Sequence, residues 1–182
     1  MRAELLTVMA QADCLFTRER VQEAIVTLAQ QISHSLADSN PVVLCVMNGA
    51  LVFSGELLPL LAFPLQVDYL HATRYRDKLS GADLQWKARP SIALSGRTVL
   101  LLDDILDEGE TLLQIRAYCQ EAGATAVYSA VLVDKHHARR HPAIPRADFT
   151  GVEAPDRYLF GYGMDYKGYW RNAPGIYAVA ES

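Results

Sequence analysis

The chain of 182 residues carries 17 Lys and Arg against 21 Asp and Glu, a formal net charge of −4, and 51% of its residues are hydrophobic. This composition is typical of a single globular domain and excludes a largely disordered chain and a fibrous protein. The acidic balance argues against a protein dedicated to nucleic acid, since such proteins usually carry a basic surface.

The N-terminal residues MRAELLTVMAQAD lack the apolar core of a signal peptide. The three cysteines show no CxxC spacing, which favours free thiols in a reducing compartment. The longest uncharged stretch, residues 39–55, is broken by polar residues, Pro and Gly, so it is not a membrane span. We therefore expect a cytoplasmic protein.

The first half of the chain alternates helix and strand patterns. Apolar residues at steps of three and four between Val21 and Leu36 predict an amphipathic helix with Thr17 as its N-cap. The run VVLCVM (42–47) predicts a strand buried on both faces. Asn48-Gly49 predicts a turn, and a helix and a strand at about 66–73 follow.

Residues 74–89 lose this periodicity and gather charge. The pattern predicts a long loop or a flexible hairpin, and such loops are usually functional. We expect a mobile lid that includes Arg74 and Tyr75.

The run TVLLL (98–102) predicts a second buried strand, DDILDEGE a turn, and the next residues a helix from about Thr111 to Gly123. Residues 125–134 predict a third buried strand. Apolar strands that alternate with helices indicate a parallel sheet. Beyond Lys135 the chain is rich in Pro and aromatic residues, and no long helix is predicted.

Polar residues follow three of these strands, at Asn48-Gly49, at Asp103-Asp104 with Asp107, and at Asp134-Lys135. The carboxyl ends of parallel strands meet at one edge of a sheet, so we expect these residues in one crevice.

The segment VLLLDDILDEGETL (99–112) carries the strongest chemistry. A helix N-terminus near Thr111 offers free N–H groups to an anion, and the carboxylates before it imply Mg²⁺ or ligand hydroxyls between them and that anion. A ligand that carries two neighbouring hydroxyl groups and a terminal phosphate would fit both the carboxylates and the helix N-terminus. An acidic turn that only caps the helix remains the alternative. The Asp-x-Asp of haloacid phosphatases and the GxxxxGK[ST] of P-loop proteins are absent, and the acidic pair lies too far along the chain for a receiver domain.

This segment resembles the phosphoribosyl-pyrophosphate motif of type I phosphoribosyltransferases. Three further blocks narrow the resemblance to the hypoxanthine-guanine branch, namely VVLCVMNGALVFSGELL with VDYLHATRY, then AVLVDK, then DFTGVEAPDRYLFGYGMDYKGYWRN. The resemblance implies an α/β fold in which helices flank a parallel twisted sheet. Its core would span about 38–140, its hood about 1–15 and 145–182, and its mobile loop about 74–89.

The resemblance also implies a role for each matching residue. Asp107 would be the general acid/base near purine N7, and Lys135 would donate to the purine 6-oxo group. Phosphoribosyl pyrophosphate would be bound by Asn48, Gly49, Asp103, Asp104, Asp107, Glu108, Gly109, Glu110, Thr111 and Arg171. In the family, the peptide bond that corresponds to Met47–Asn48 is often cis. The purine would contact Lys135, Tyr158, Leu159 and Asp165, and Mg²⁺ would be held by Asp103, Asp104 and Asp165.

The implied substrates are phosphoribosyl pyrophosphate with hypoxanthine or guanine, and the implied assembly is a homodimer or homotetramer without nucleic acid or membrane. Two alternatives stay open: a regulatory protein of the same fold that senses phosphoribosyl pyrophosphate and binds nucleic acid, and a salvage enzyme that prefers xanthine or adenine. Asn48, Glu108 and Glu110 depart from the family pattern, and each lowers the positive potential around the polyanionic substrate.

Two groups also have simpler interpretations. A lysine at a strand end is usually a surface residue, and most of the aromatic residues from Tyr158 onward are expected to be ordinary packing. His136, His137 and His141 fit no usual metal spacing, so the sequence HHARRH predicts a solvated loop.

Overall fold

The computed structural model describes residues 1–74 and 84–180. Single turns of 3₁₀ helix lie at Ala37–Ser39 and Leu58–Leu60. The α-helices and strands of the described residues are, in chain order, α1 (Arg2–Gln11), β1 (Asp13–Phe16), α2 (Arg18–Leu36), β2 (Val42–Val46), α3 (Leu51–Leu57), β3 (Gln66–Arg74), β4 (Leu84–Ala88), β5 (Thr98–Leu106), α4 (Glu110–Glu121), β6 (Ala126–His136), β7 (Phe149–Pro155), β8 (Leu159–Phe160) and β9 (Ile176–Ala178).

The main sheet has six strands in the order β4-β3-β2-β5-β6-β7, and all neighbours are parallel except β3 and β4. All five residues of β2 are buried, as expected for a strand with helices over both faces. The predicted parallel α/β sheet is confirmed, and β4 adds one antiparallel strand at its edge.

Two apolar layers enclose this sheet. Along β2, Val43 and Cys45 pack in the cluster that holds α2 and α3, whereas Val42, Leu44 and Val46 pack in the cluster that holds α4. Side chains of a strand alternate between its faces, so one continuous apolar run supplies both layers.

The amphipathic helix predicted from apolar spacing is confirmed as α2. Its buried residues run from Val21 to Leu36 on one face. The Thr17 hydroxyl accepts the backbone N–H of Arg20 at 3.4 Å, which is the predicted N-cap.

The small hood is a second, three-stranded antiparallel sheet in the order β1-β9-β8. Chain segments from both ends therefore build it. Helix α1, which the sequence analysis did not predict, attaches to it where Trp170 Nε1 donates to the Leu5 carbonyl at 3.0 Å. The hood was expected to resume at residue 145, but β7 belongs to the main sheet, so its C-terminal part begins after Pro155.

Two strands are longer than predicted. The turn expected from Asp103 onward begins only after Leu106, because Asp103 continues the ladder of β5 opposite Val131 of β6. Strand β6 itself ends at His136, so Lys135 lies within the strand rather than after it. Strand β5 extends because β6 pairs with it as far as Leu106 opposite Asp134, and the end of β6 extends because Lys135 and His136 pair with β7.

The segment expected to be a mobile loop, 74–89, is described only at its ends. Strand β3 ends at Arg74, and β4 pairs with it as the second arm of a hairpin. Tyr75 lies outside the described residues.

Across residues 1–74 and 84–180, no helix is long and apolar enough to cross a membrane. All three cysteines are free thiols, of which Cys45 and Cys119 are buried and Cys14 is exposed.

Arg140 joins the loop after β6 to the sheet. Its guanidinium donates to the Asp134 carboxylate at 2.6 Å and to the carbonyl oxygens of Leu106, Lys135 and Pro145 at 3.1, 2.6 and 3.1 Å. The Arg140 and Asp134 side chains are only 11% and 9% exposed. The ion pair is therefore shielded from water.

We expect Arg140→Met to lower the free energy of unfolding by about 3–5 kcal/mol, because it leaves the buried charge of Asp134 without its partner. Urea denaturation measures this. Arg20→Met is the control, since Arg20 is 58% exposed in its pair with Glu23, and it should cost less than about 1 kcal/mol. Equal losses in the two variants would contradict the role given to Arg140.

Candidate active site

Three polar segments meet at the carboxyl ends of β2, β5 and β6, which are adjacent and parallel. A cavity of about 430 Å³ lies here, beside the turn after β2, the end of β5 and the start of α4. The predicted site residues that line it are Asn48, Gly49, Asp103, Asp104, Asp107, Glu108, Gly109, Glu110, Thr111, Asp165 and Arg171.

A smaller pocket of about 190 Å³ adjoins this cavity and shares Asp104, Asp107 and Asp165 with it. Lys135, Tyr158 and Leu159 complete the set of predicted site residues in its lining. Tyr158 is 54% exposed, and its ring meets the edge of Tyr166 at a centroid distance of 5.6 Å. The structure therefore brings together two concavities of different size around Asp107.

A larger cleft of about 770 Å³ opens beside β6 and β7. Its polar lining includes Arg140, Asp148 and Asp134, so Asp134 does not lie in the crevice where it was expected with Lys135. None of the residues given a binding or catalytic role lines this cleft. The chemistry-bearing strand ends thus identify the smaller cavity, and not the largest, as the candidate site.

Asp103 and Asp104 place two neighbouring carboxyl groups at the end of β5. Burial, followed by the charge of Asp104, raises the pKa of Asp103 well above its ordinary value. Burial also raises the pKa of Asp104, although a hydrogen bond with Asp103 and the positive charge of Arg171 oppose it. A cation or a hydroxyl donor at this point would stabilise both carboxylates.

The turn after β2 approaches this acidic pair closely. A Cβ at Gly49 would lie 2.2 Å from Oδ2 of Asp104, so a larger residue there would displace this carboxylate. The Met47–Asn48 peptide bond that precedes it is cis.

Helix α4 begins at Glu110, within one residue of the predicted start. Gly109 precedes it with φ +89°, and a Cβ there would lie 2.3 Å from Cγ2 of Ile144. The first turn of a helix has N–H groups without intrahelical partners. Because Glu110 and Thr111 line the cavity, this turn can bind an anion there.

Asp107 is held on both carboxylate oxygens. Lys135 Nζ donates to Oδ2 at 3.0 Å, and His137 Nε2 lies 2.5 Å from Oδ1. Lys135 is 8% exposed and also lies 3.4 Å from Oδ1 of Asp156. Partial burial raises the pKa of Asp107, but the hydrogen bond and charge of Lys135 and the hydrogen bond of His137 outweigh it, and the pKa lies below its ordinary value.

The prediction that His137 belongs to a solvated loop is wrong, since its side chain is 2% exposed and contacts Asp107. It lies one residue beyond the end of β6 at His136, so strand alternation does not place it beside Lys135, and the sequence around it does not indicate this contact. The sequence analysis also missed Asp156, which accepts two hydrogen bonds from Arg139 at 2.7 and 2.8 Å.

The hood contributes an ion pair to the cavity. Arg171 donates to Oδ1 of Asp165 and to the Gly163 carbonyl, both at 2.6 Å. Oδ2 of Asp165 accepts the backbone N–H of Gly168 at 2.7 Å. Asp165, expected to be a metal ligand, thus has a protein partner on each oxygen.

His71 on β3 and Lys87 on β4 also line the cavity, and neither was predicted. Burial, followed by the positive charges of Lys87 and Arg171, lowers the pKa of His71. Lys87, on the antiparallel edge strand, thus adds positive charge to the site, whereas Asn48, Glu108 and Glu110 lower its positive potential.

The donor set fits Mg²⁺ that is bound together with a substrate. Within 1–74 and 84–180, no cluster of three or more His, Cys, Asp and Glu could hold a metal alone. The protein offers the neighbouring carboxylates of Asp103 and Asp104. Mg²⁺ commonly takes one or two carboxylates and completes its shell with substrate phosphates and water.

Comparison with known proteins adds evidence independent of this geometry. The family model of the phosphoribosyl transferase domain matches residues 12–166. The hypoxanthine-guanine-xanthine phosphoribosyltransferase of Tritrichomonas foetus is 32% identical over 168 residues, which cover 92% of this chain and 91% of that protein. The hypoxanthine-guanine phosphoribosyltransferase of Streptococcus pneumoniae is 30% identical over 168 residues, 92% of each chain.

Solved structures agree. The chain is similar to a hypoxanthine-guanine-xanthine phosphoribosyltransferase with a TM-score of 0.84 and 30% identity, over 93% of this chain and 97% of that one. It is also similar to a hypoxanthine-guanine phosphoribosyltransferase from Bacillus anthracis, with a TM-score of 0.84 and 27% identity over the same shares of the two chains.

Proposed function

The chain belongs to the phosphoribosyltransferase family, and from that premise we propose that it transfers the 5-phosphoribosyl group of phosphoribosyl pyrophosphate to N9 of hypoxanthine or guanine. The products are IMP or GMP and pyrophosphate. One observation carries the proposal: the Asp107–Lys135 pair, 3.0 Å apart, lies where a larger anion-binding cavity meets a smaller pocket.

Phosphoribosyl pyrophosphate occupies the larger cavity in this proposal. The first turn of α4, with the Thr111 hydroxyl, binds the 5-phosphate, and Asp103 and Asp104 accept hydrogen bonds from the ribose hydroxyls. The backbone of Asn48 and Gly49 binds the pyrophosphate together with Arg171. Lys87 adds positive charge to the same cavity.

The purine occupies the smaller pocket, between Tyr158 and the backbone of Leu159. Lys135 exchanges its hydrogen bond to Asp107 for one to the 6-oxo group. This frees Oδ2 of Asp107 to accept the proton on purine N7. Adenine presents a 6-amino group, which cannot accept a hydrogen bond from the Lys135 ammonium, so it is disfavoured.

During the reaction the purine gains positive charge and the departing pyrophosphate gains negative charge. N9 forms its bond to C1 of the ribose as the bond from C1 to the pyrophosphate oxygen breaks, through a cation-like sugar. Asp107 takes the N7 proton as the purine becomes positively charged. Arg171 stabilises the negative charge on the departing pyrophosphate. Mg²⁺, when bound by Asp103 and Asp104 with the substrate, supplies further charge neutralisation.

Within the residues that the structure describes, no feature of the site favours the regulatory alternative, and the relatives from Tritrichomonas foetus and Streptococcus pneumoniae are named as enzymes. Self-association as a homodimer or homotetramer is part of the proposal. Exposed apolar side chains support it, namely Leu51, Leu60, Val67 and Tyr69 on or near α3 and β3.

A product assay with phosphoribosyl pyrophosphate, Mg²⁺ and each of hypoxanthine, guanine, xanthine and adenine tests the proposed function. We expect IMP and GMP, with adenine slower by a factor of about 10² or more, because a buried donor left unpaired discriminates strongly. Formation of AMP at the same rate would reassign the purine pocket. The absence of any nucleotide from hypoxanthine and guanine would refute the proposed function.

A further inference from the structure

The hydrogen bonds of His137 fix which ring nitrogen carries its proton. The backbone N–H of Arg139 donates to Nδ1 at 3.1 Å, so Nδ1 is an acceptor and bears no hydrogen. A neutral imidazole carries its single proton on the other nitrogen. Nε2–H therefore donates to Oδ1 of Asp107 across 2.5 Å.

Charged side chains also surround the contact between His137 and Asp107. Lys135 from β6 faces the other oxygen of Asp107. Asp156, which follows β7, lies 3.4 Å from Lys135 and forms a two-bond ion pair with Arg139. Among the described residues that face Asp107, His137 is thus the neutral donor, and its side chain is 2% exposed.

We propose that His137 is a positioning residue, which holds the Asp107 carboxylate by Oδ1 so that Oδ2 faces the purine. The inference rests on the proposed function, in which Lys135 leaves Asp107 for the 6-oxo group. From that moment the bond from His137 is what keeps the carboxylate from rotating. His137 lines the large cleft beside β6 and β7 and is not in the lining of the purine pocket, so it acts through Asp107.

The same bond stabilises the ionised form of Asp107, and the sign of its effect on pH dependence follows. A donor to a carboxylate lowers its pKa. Without His137 the pKa of Asp107 rises, and Asp107 must be ionised to accept a proton. The acid limb of kcat against pH therefore moves to higher pH when this donor is lost.

Steady-state kinetics of His137→Phe and His137→Gln test the proposal. His137→Phe should lower kcat about tenfold or more, since hydrogen bonds to charged groups are strong, and should move the acid limb upward. The KM for phosphoribosyl pyrophosphate should stay the same. His137→Gln keeps an N–H donor and should restore both readouts. His136→Phe is the control, because His136 is 61% exposed and faces Glu153.

A double variant separates positioning from a general structural role. If His137 acts through Asp107, then adding His137→Phe to Asp107→Asn should cause no further loss of kcat. A further loss of the same size would overturn the proposal. If His137→Phe does not fold, His137→Asn takes its place, since its shorter amide cannot span the same distance.

A measurement without turnover distinguishes this inference from the proposed function. Carbon-13 NMR of the Asp107 carboxyl group gives its pKa directly. The pKa should be higher in His137→Phe than in the unaltered chain, and unchanged in His136→Phe. Equal values in all three would refute the role of His137 even in an active enzyme, whereas an inactive unaltered chain would refute only the proposed function.

Discussion

Replacing Asp107 with Asn is expected to lower kcat by a factor of about 10²–10⁴, the usual contribution of a general acid or base. Asn has nearly the same shape but cannot take a proton from purine N7. The binding of phosphoribosyl pyrophosphate should persist, because Asp103, Asp104 and the first turn of α4 are unchanged. Steady-state kinetics with hypoxanthine and guanine, together with calorimetric titration of phosphoribosyl pyrophosphate, measure the two effects separately.

Lys135→Ala is the matched comparison, because Lys135 contacts the same carboxylate but is proposed to bind the purine in ground and transition states alike. It should raise the KM for the purine about 10–100-fold, the value of a hydrogen bond to a charged group, and reduce the discrimination against adenine. If Asp107→Asn kept full kcat, Asp107 would have no role as a general acid or base. A variant Lys135→Ala with unchanged purine affinity would place the purine pocket elsewhere.

The parts of the fold that could be predicted are those in which burial fixes the residue pattern. A strand covered on both faces must be apolar throughout, and VVLCV shows this at β2. A helix that packs on a sheet buries one face, which gives α2 its spacing of three and four. These local patterns were enough to indicate a parallel sheet with polar residues gathered at one edge.

The ends of β5 and β6 could not be predicted, because each depends on a partner elsewhere in the chain. From the sequence alone, Asp103 is predicted to begin a turn, because its pairing with Val131 is visible only in the structure. Asp103 remains in the strand because that pairing supplies partners for its backbone groups. The residue pattern of one strand does not show how long the neighbouring strand is.

His137 and Lys87 were missed for a related reason. His137 contacts Asp107 only because Arg140 anchors the following loop to the sheet, and a string of basic residues resembles a solvated loop. Lys87 lines the cavity because β4 pairs with β3. Both contacts join segments far apart in sequence, so the spacing around each residue does not reveal them.

Removal of divalent metal is expected to reduce turnover to background. The chain has a formal net charge of −4, and its candidate substrate is itself a polyanion. Burial, and for Asp103 also the charge of its neighbour, raises the pKa of Asp103 and Asp104, so the protein alone disfavours their ionised forms and a cation beside them would stabilise these forms. Arg171 is already paired with Asp165 at 2.6 Å, so part of its charge is compensated before any substrate binds.

Without a cation, then, the carboxylates and the phosphates repel one another, and Mg²⁺ is the oxygen-binding ion that commonly bridges such groups. Treatment with EDTA should abolish nucleotide formation, and excess Mg²⁺ should restore it. Calorimetric titration gives a readout besides activity, since the affinity for phosphoribosyl pyrophosphate should fall when the metal is absent. Undiminished turnover after metal removal would mean that Lys87, Arg171 and the α4 N-terminus neutralise the substrate by themselves, and Asp103 and Asp104 would then serve the ribose hydroxyls alone.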